Sequence, residues 1–291
     1  MKQVVIISGK GGTGKTVITA AFAVLAENKV IVDCDVDAAN LHLLLNPRIK
    51  EKFEFKGMPK AVINQDKCTG CGECARVCRY DAIIPQSSSY TVNKFSCEGC
   101  RVCMYVCPAE AIRMEENIAG EWYISETKYG PMVHAKLGIT EENSGKLVTR
   151  IREEARVIAE KEKRDYVIID GPPGIGCPVI ASIAGVDIVL IVTEPTLSGI
   201  HDMVRAVELT KHFKIKTFVV INKYDLNIGM TEEIEKYCQE NKIPLAGKIV
   251  YDPIVTEAVV NKKPVVEYSD GEVVRQIKDI WKTIYNELKS L

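Results

Sequence analysis

The chain has 291 residues, enough for one large domain or two smaller ones around a full hydrophobic core. Its 38 basic and 39 acidic residues leave a formal charge of −1, so no basic excess supports nucleic-acid binding. No apolar run approaches the roughly 20 residues of a membrane span. Met1 leads straight into a strand-like run with no signal-peptide pattern; a cytoplasmic protein is therefore expected, in which clustered cysteines bind metal more often than they form disulfides.

The first strand-like run, Val4-Val5-Ile6-Ile7, leads into Gly9-Lys10-Gly11-Gly12-Thr13-Gly14-Lys15-Thr16, and a helical pattern follows from about Val17 to Ala26. Strand, glycine loop and helix form the context of a phosphate-binding loop. Glycines let successive backbone N–H groups converge on a polyphosphate, and the helix N-terminus adds a favourable dipole. Lys15 would reach the β- and γ-phosphates, and the Thr16 hydroxyl would ligate Mg²⁺. The alternative, a plain glycine turn, is set aside in favour of a nucleotide site.

A second buried-strand pattern, Val30-Ile31-Val32-Asp33-Cys34-Asp35, ends in acidic residues. In parallel α/β sheets functional groups sit at the carboxyl ends of strands. Asp35 is placed to orient a water for attack on the γ-phosphate, and Asp33 or Asp37 to hold Mg²⁺ through its waters. Asp37 also reads as the N-cap of a helix over Ala38 to Leu45.

From about Phe55 to Tyr129 the pattern changes, and this stretch carries eight of the eleven cysteines. Cys68, Cys71, Cys74 and Cys78 are spaced C-x2-C-x2-C-x3-C; Cys97, Cys100, Cys103 and Cys107 repeat the spacing, with Pro108 following. Three thiolates of each run would grip one cubane while the fourth points to the other. The expected assignment is crossed: Cys68, Cys71, Cys74 and Cys107 hold one [4Fe–4S] cluster; Cys97, Cys100, Cys103 and Cys78 hold the second. A zinc ribbon would leave the third and fourth cysteines of each run without a role. Thr69, Gly70 and Gly72 let backbone N–H groups approach the sulfurs, and Ala82-Ile83-Ile84 with Ala111-Ile112 would supply a small core. Arg79 stands where the second run has Pro108, a departure expected to alter a cluster's potential without removing a ligand.

Helical periodicity returns over Ser144 to Lys161, with Leu147, Ile151, Ala155 and Ile158 on one face. The buried strand Tyr166 to Asp170 runs into Gly171-Pro172-Pro173-Gly174-Ile175-Gly176. This reads as a magnesium aspartate followed by a switch that senses the γ-phosphate. Cys177, at the end of that switch, reads either as a buried small hydrophobe or as a redox or cluster residue. Strands over Asp187 to Val192 and Thr217 to Ile221 alternate with a helix over Ser198 to Phe213. Asn222 at a strand end is placed to bond a purine edge, and a loop around Asp252 lies on the same side. The final helix, about Gly271 to Leu288, has Val273, Ile277, Ile280, Trp281, Ile284 and Leu288 in one stripe and mixed Lys and Glu opposite, a docked closing helix rather than a membrane-surface one. The whole is a doubly wound, mostly parallel α/β sheet of P-loop NTPase type. The nucleotide domain spans 1–54 and 130–291. Between its parts, on the nucleotide side, lies a small α+β, bacterial-ferredoxin-like insertion over 55–129 whose ends must lie close together.

These motifs resemble a known family. Gly-Lys-Gly-Gly-Thr-Gly-Lys-Thr, with its extra lysine Lys10, is the deviant phosphate loop of the MinD/ParA/Mrp and nitrogenase iron-protein ATPases. Asp33-Cys34-Asp35 and Asp170-Gly171-Pro172-Pro173-Gly174 match their two acidic switches. The whole chain looks like a MinD-superfamily ATPase with an inserted two-cluster ferredoxin domain. The resemblance implies catalytic roles for Lys10, Lys15, Asp35 and Asp170, and a nucleotide-sandwich homodimer in which Lys10 reaches the partner's phosphates. It gives Cys177 the offset from Asp170 of a bridging-cluster cysteine in the nitrogenase iron protein, although only Cys34 and Cys238 remain as its second ligand. ATP is the expected nucleotide, while Asn222-Lys223-Tyr224-Asp225 also matches a guanine-reading pattern. The final helix lacks the basic membrane tail of MinD. The expected function is an ATPase whose nucleotide state gates electron transfer through two clusters to a redox partner. The alternatives are an ATP-dependent cluster carrier or maturation factor acting on an apo-metalloprotein, and a positioning ATPase with the ferredoxin as adaptor.

Overall fold

The computed structural model of the protein describes residues 1–138 and 144–291. In chain order the strands and helices are β1 (Lys2–Ser8), α1 (Lys15–Leu25), β2 (Lys29–Asp33), α2 (Leu41–Leu45), β3 (Arg48–Lys56), β4 (Lys60–Ile63), α3 (Glu73–Val77), β5 (Ile83–Pro85), β6 (Tyr90–Val92), α4 (Val102–Tyr105), β7 (Ile112–Glu115), β8 (Ile118–Thr127) and β9 (Gly130–Leu137). They continue with α5 (Ser144–Lys161), β10 (Tyr166–Pro173), α6 (Cys177–Ile183), β11 (Ile188–Thr193), α7 (Leu197–His212), β12 (Lys216–Asn222), α8 (Ile228–Glu240), β13 (Leu245–Ile249), α9 (Ile254–Val260), α10 (Val265–Tyr268) and α11 (Glu272–Ser290).

Two compact units divide the chain. The larger comprises Met1–Lys52, Trp122–Lys136 and Ser144–Leu291; the smaller is built on Phe53–Glu121. The larger unit is organised on a nine-stranded sheet of order β13-β12-β11-β1-β10-β2-β9-β8-β3. From β13 to β9 every neighbouring pair is parallel. The central strands β1, β2, β10 and β11 are near-continuous Val and Ile runs because helices cover both faces. On one face α1 and α11 pack together, with the Phe22 and Trp281 rings 4.9 Å apart. The whole expected stripe of α11, with Val274 in addition, is buried there. On α5 the buried stripe is Leu147, Val148, Ile151, Ala155 and Ala159. Ile158, expected in that stripe, lies at its edge, because the small Ala159 takes the position one turn beyond Ala155.

Two expectations are corrected. Residues 122–127 lie in β8, a strand of the large sheet, not in the cysteine-bearing stretch that was expected to run to 129. The helix expected from Ala38 begins at Leu41, with Asn40 rather than Asp37 at its N-cap position. The smaller unit contains two two-stranded antiparallel sheets, β4–β7 and β5–β6, with the short helices α3 and α4. Its core gathers Ala61, Ile63, Ala82, Ile83 and Ile112 around the cysteines. No helix among the described residues is long and apolar enough to cross a membrane.

One buried histidine gives the larger unit a pH-dependent stability. His134 on β9 is 8% exposed, shares a hydrogen bond with Ser125 Oγ at 2.9 Å through Nε2, and stacks on Tyr123. Burial, and to a lesser degree His42, pushes its pKa down to about 4. The unfolded chain takes up that proton first, so its contribution is complete above about pH 6.5 and is lost as pH falls toward 4, by about 3 kcal/mol. His42, also shifted down by burial and Lys136, adds a smaller loss in the same direction. Denaturant titrations of His134→Gln are expected to show a shallower acid limb than the parent protein; equal slopes would refute this assignment.

Candidate nucleotide site and two cysteine nests

β1 delivers the chain to the glycine loop at its carboxyl end, and α1 starts at Lys15. Gly14 precedes that helix at φ 91°, a left-handed conformation that disfavours a Cβ. A Cβ there would also sit 2.3 Å from Asn222 Nδ2. That amide donates to the Thr13 carbonyl at 2.8 Å, so Asn222 braces the loop from the end of β12. Gly9 lets the loop pass α7, since a Cβ would lie 2.2 Å from that of Asp202. Thr13 Oγ1 is buried with no hydrogen-bond partner among the described residues. Gly14→Ala is expected to cost about 1–3 kcal/mol of stability and to weaken nucleotide binding at least tenfold. Calorimetric titration and thermal unfolding check this; native affinity in a folded variant would refute the loop geometry.

Behind the loop, Lys15 Nζ lies 3.3 Å from Asp35 Oδ2 and 3.4 Å from Asp170 Oδ1. Burial opposes the charge on Lys15, but Asp170, Asp35 and Asp33 outweigh it and raise its pKa. Asp170, fully buried within β10, accepts from Thr16 Oγ1 at 2.9 Å and Thr19 Oγ1 at 2.8 Å. Burial raises its pKa against the pull of Lys15. Asp33 is also fully buried; burial and the neighbouring Asp170 push it well above the carboxylate range. Its oxygens accept from the Asp35 and Leu41 backbone N–H groups at 3.1 and 3.2 Å. Three carboxylates thus face one ammonium in a buried pocket, an arrangement short of positive charge. No three His, Cys, Asp or Glu among the described residues close on one point as a self-contained ion site. A cation here would share its ligands with a nucleotide, with Thr16 and Asp170 side by side to receive it.

Lys10 does not point into its own loop. Its Nζ pairs with Glu194 Oε1 at 2.7 Å and donates to Ser198 Oγ at 2.9 Å. Glu194, just beyond β11, also lies 3.4 Å from Lys223 Nζ. Burial opposes its ionisation, but Lys10 and Lys223 hold its carboxyl below the usual range. The sequence reading missed Glu194 and Ser198, and took Lys223 only as part of a guanine-reading pattern; an acidic residue directly after a buried parallel strand was the available signal.

Beside the loop a cavity of about 240 Å³ is lined by Gly12, Val17, Ile18, Asn222, Val255 and Ile277, among others. Its apolar floor and one amide suit a planar base. Asp252 is not among its lining residues; its Oδ1 accepts from the Ile254 N–H at 2.9 Å and turns the chain into α9. Cys177 begins α6 with an exposed side chain, so its reading as a buried hydrophobe is corrected. Cys34 and Cys238 are both buried, and burial raises both thiols, that of Cys238 to about 11. Neither is presented at the surface beside Cys177 for a shared cluster.

In the smaller unit the eight cysteines divide between two cavities. Cys68, Cys71, Cys74 and Cys107 line one with Ile63, Tyr90 and Ile112; Cys97, Cys100, Cys103 and Cys78 line the other with Val77, Ile83 and Met114. The two loops share a backbone: Gly70 and Gly99 have φ 69° and 67°, and Gly72 and Arg101 have φ 79° and 68°. Backbone N–H groups already reach sulfur, from Ala61 to Cys97 Sγ at 3.5 Å and from Ala111 to Cys107 Sγ at 3.3 Å. Four cysteines around a cavity, with amides directed at their sulfurs, fit a multi-atom cluster.

A parallel sheet with a glycine loop between its first strand and helix, and buried acidic residues at the end of β2 and within β10, defines a P-loop nucleotide hydrolase. Residues 4–265 match the CobQ/CobB/MinD/ParA nucleotide binding domain, and the chain belongs to that family, as a P-loop ATPase. An uncharacterized protein of Methanocaldococcus jannaschii is 39% identical over 228 residues, 77% of this chain and 79% of the relative. The iron-sulfur cluster carrier protein of Pyrococcus horikoshii is 26% identical over 159 residues, 50% of this chain and 54% of the carrier. Among solved structures, the septum site-determining protein MinD of P. horikoshii, complexed with Mg-ADP, superposes with a TM-score of 0.58 at 18% identity. That match covers 97% of this chain and 95% of MinD, a likeness of fold.

Proposed function

We propose that this ATPase uses its nucleotide state to gate electron transfer through two [4Fe–4S] clusters held by an inserted ferredoxin-like domain. The observation that carries the reading is the division of eight cysteines into two quartets, each around its own cavity, in a chain whose other unit is a nucleotide hydrolase. Clusters bound there would supply one-electron redox chemistry at potentials that hydrogen bonding and exposure tune over a wide range.

On the nucleotide side, the loop N–H groups and Lys15 bind the β- and γ-phosphates. Thr16 and Asp170 hold Mg²⁺, Asp33 braces the Asp35 turn, and Asp35 orients the attacking water. The Asn222 cavity takes the base of ATP. Two chains face each other across their nucleotides, and Lys10 leaves Glu194 to reach the partner's phosphates. The run after Asp170 then reports the γ-phosphate. Gly174, at φ 88° with open space around its Cβ position, is the hinge of that switch.

An anaerobic EPR redox titration, with and without ATP or a non-hydrolysable analogue, tests the coupling. The expected result is a shift of several tens of millivolts, since about 59 mV is tenfold for one electron. Unchanged potentials in both states would overturn gating. Two observations favour a second reading, a cluster carrier: the partial likeness to the Pyrococcus carrier, and the exposed Cys177 at the start of α6. Transfer of iron and sulfide to an apo-ferredoxin, blocked by Cys177→Ser, would establish it.

A further inference from the structure

The two halves of the small unit share one backbone but present opposite surfaces. Moving 29 positions along the chain takes each residue of the Cys68–Cys78 run to its counterpart in the Cys97–Cys107 run. Around the cavity of Cys68, Cys71, Cys74 and Cys107 the flanking positions are polar or small: Asp66, Gly72, Glu73, Arg76, and Pro108-Ala109 after the fourth ligand. Glu73 and Arg76 neutralise each other at 2.5 Å. Around the other cavity the same positions hold Phe95, Arg101, Val102, Tyr105 and Arg79-Tyr80.

All six of those side chains are exposed, Phe95 by 69% and Tyr105 by 78%. Tyr80, Arg101 and Val102 line the cavity itself, next to Cys78, Cys97, Cys100 and Cys103. Val102 and Tyr105 lie three apart on α4, on neighbouring positions of its surface. Arg79 and Arg101 form no ion pair among the described residues; Glu98 is the acidic residue lining the cavity. Arg101 sits at φ 68°, where its counterpart is Gly72. The other run fills this left-handed position with glycine, whereas here it carries a long, exposed, cationic side chain.

We propose that the Cys97–Cys107 repeat is the docking face of the small unit, and that its partner is an acidic redox protein whose carboxylates meet Arg79 and Arg101 around an apolar centre of Phe95, Val102 and Tyr105. The proposal rests on the electron-transfer reading and assigns it an exit: the cluster held by Cys97, Cys100, Cys103 and Cys78. Aromatic and arginine side chains at the centre, charge at the rim, is the composition of a protein interface. Unpaired basic groups steer an acidic partner and make the encounter salt-dependent.

The test uses the whole chain, cluster-loaded under anaerobic conditions, with a small acidic flavodoxin as probe and a basic cytochrome c as counter-probe. Binding of the oxidised protein to flavodoxin is measured by calorimetry, and electron transfer from the reduced protein by stopped flow. Arg79→Glu with Arg101→Glu is expected to weaken flavodoxin binding at least tenfold and to flatten its salt dependence. The matched charge change on the other repeat, Lys67→Glu with Arg76→Glu, should leave binding within twofold. Arg101→Gly, which restores the counterpart residue, should raise the unfolding temperature yet weaken binding several-fold, a pairing that a merely structural role would not produce. Equal losses from both double variants, or none from the first, overturn the docking face. If patch variants instead abolish self-association of the chain in sedimentation, the occupant is a second copy and the acidic partner is overturned. If the parent protein carries both clusters by EPR but reduces neither acceptor, the electron-transfer reading falls and this inference with it. Transfer to both acceptors that is indifferent to Arg79 and Arg101 overturns the docking face alone.

Discussion

Replacing Lys10 with alanine is expected to abolish ATP turnover, by about 10³-fold or more on the scale of arginine fingers in other phosphoryl-transfer enzymes, while nucleotide affinity stays within a few-fold. The expectation follows from where Lys10 is held. Its ammonium is paired with Glu194 and Ser198 rather than turned toward its own loop, so the loop keeps its binding contacts when Lys10 is gone. On the proposed two-chain arrangement, what is lost is a cation delivered to another copy's γ-phosphate. Glu194 gives the prediction a sign. Glu194→Gln removes the charge that keeps Lys10 at home and should raise turnover at a given protein concentration, with the steepest gain where the chain is dilute. Turnover linear in protein concentration, or full activity in Lys10→Ala, would sink the two-chain arrangement.

The second large effect is on cluster content. Cys107→Ala and Cys74→Ala should each remove about four irons per chain and erase the same EPR signal, although Cys107 belongs by sequence to the other run. Cys78→Ala and Cys103→Ala should erase the other signal. The shared cavities of each crossed quartet are the basis for this pairing. Loss of the Cys97 signal in Cys107→Ala would show that each run holds its own cluster. A zinc content in place of EPR signals would overturn the cluster assignment as a whole.

The sequence was most legible where one local constraint acts alone. The glycine loop and the spacing of the cysteines are set by short-range geometry, and α11 by a stripe that recurs over five turns. Elements whose determinants lie far away in the chain were not legible. β3 reads Arg-Ile-Lys-Glu-Lys-Phe-Glu-Phe-Lys, which lacks a buried-strand pattern because it is the last strand of the sheet; charge at such an edge blocks pairing with other chains. The start of α2 was misplaced because the carboxylate that receives the Leu41 N–H comes from Asp33, eight residues upstream, and not from a local cap. Asn222 was read as a base contact, and it does line the cavity beside the loop, but its donation to the Thr13 carbonyl was not legible. Only the return of β12 alongside the loop makes that bond visible.

The order of the sheet ties the two halves of this molecule together thermodynamically. β3 carries the chain out of the larger unit and β8 brings it back, and these strands are neighbours. A folded insert between them acts as a short closed turn. An unfolded one would be a floppy loop of roughly seventy residues, whose closure costs about 2–3 kcal/mol more than a hairpin turn. If clusters order that segment as proposed, they therefore also tighten the edge of the nucleotide-binding sheet, and cluster-free protein should lose its β3–β8 amide protection before the rest of the sheet opens.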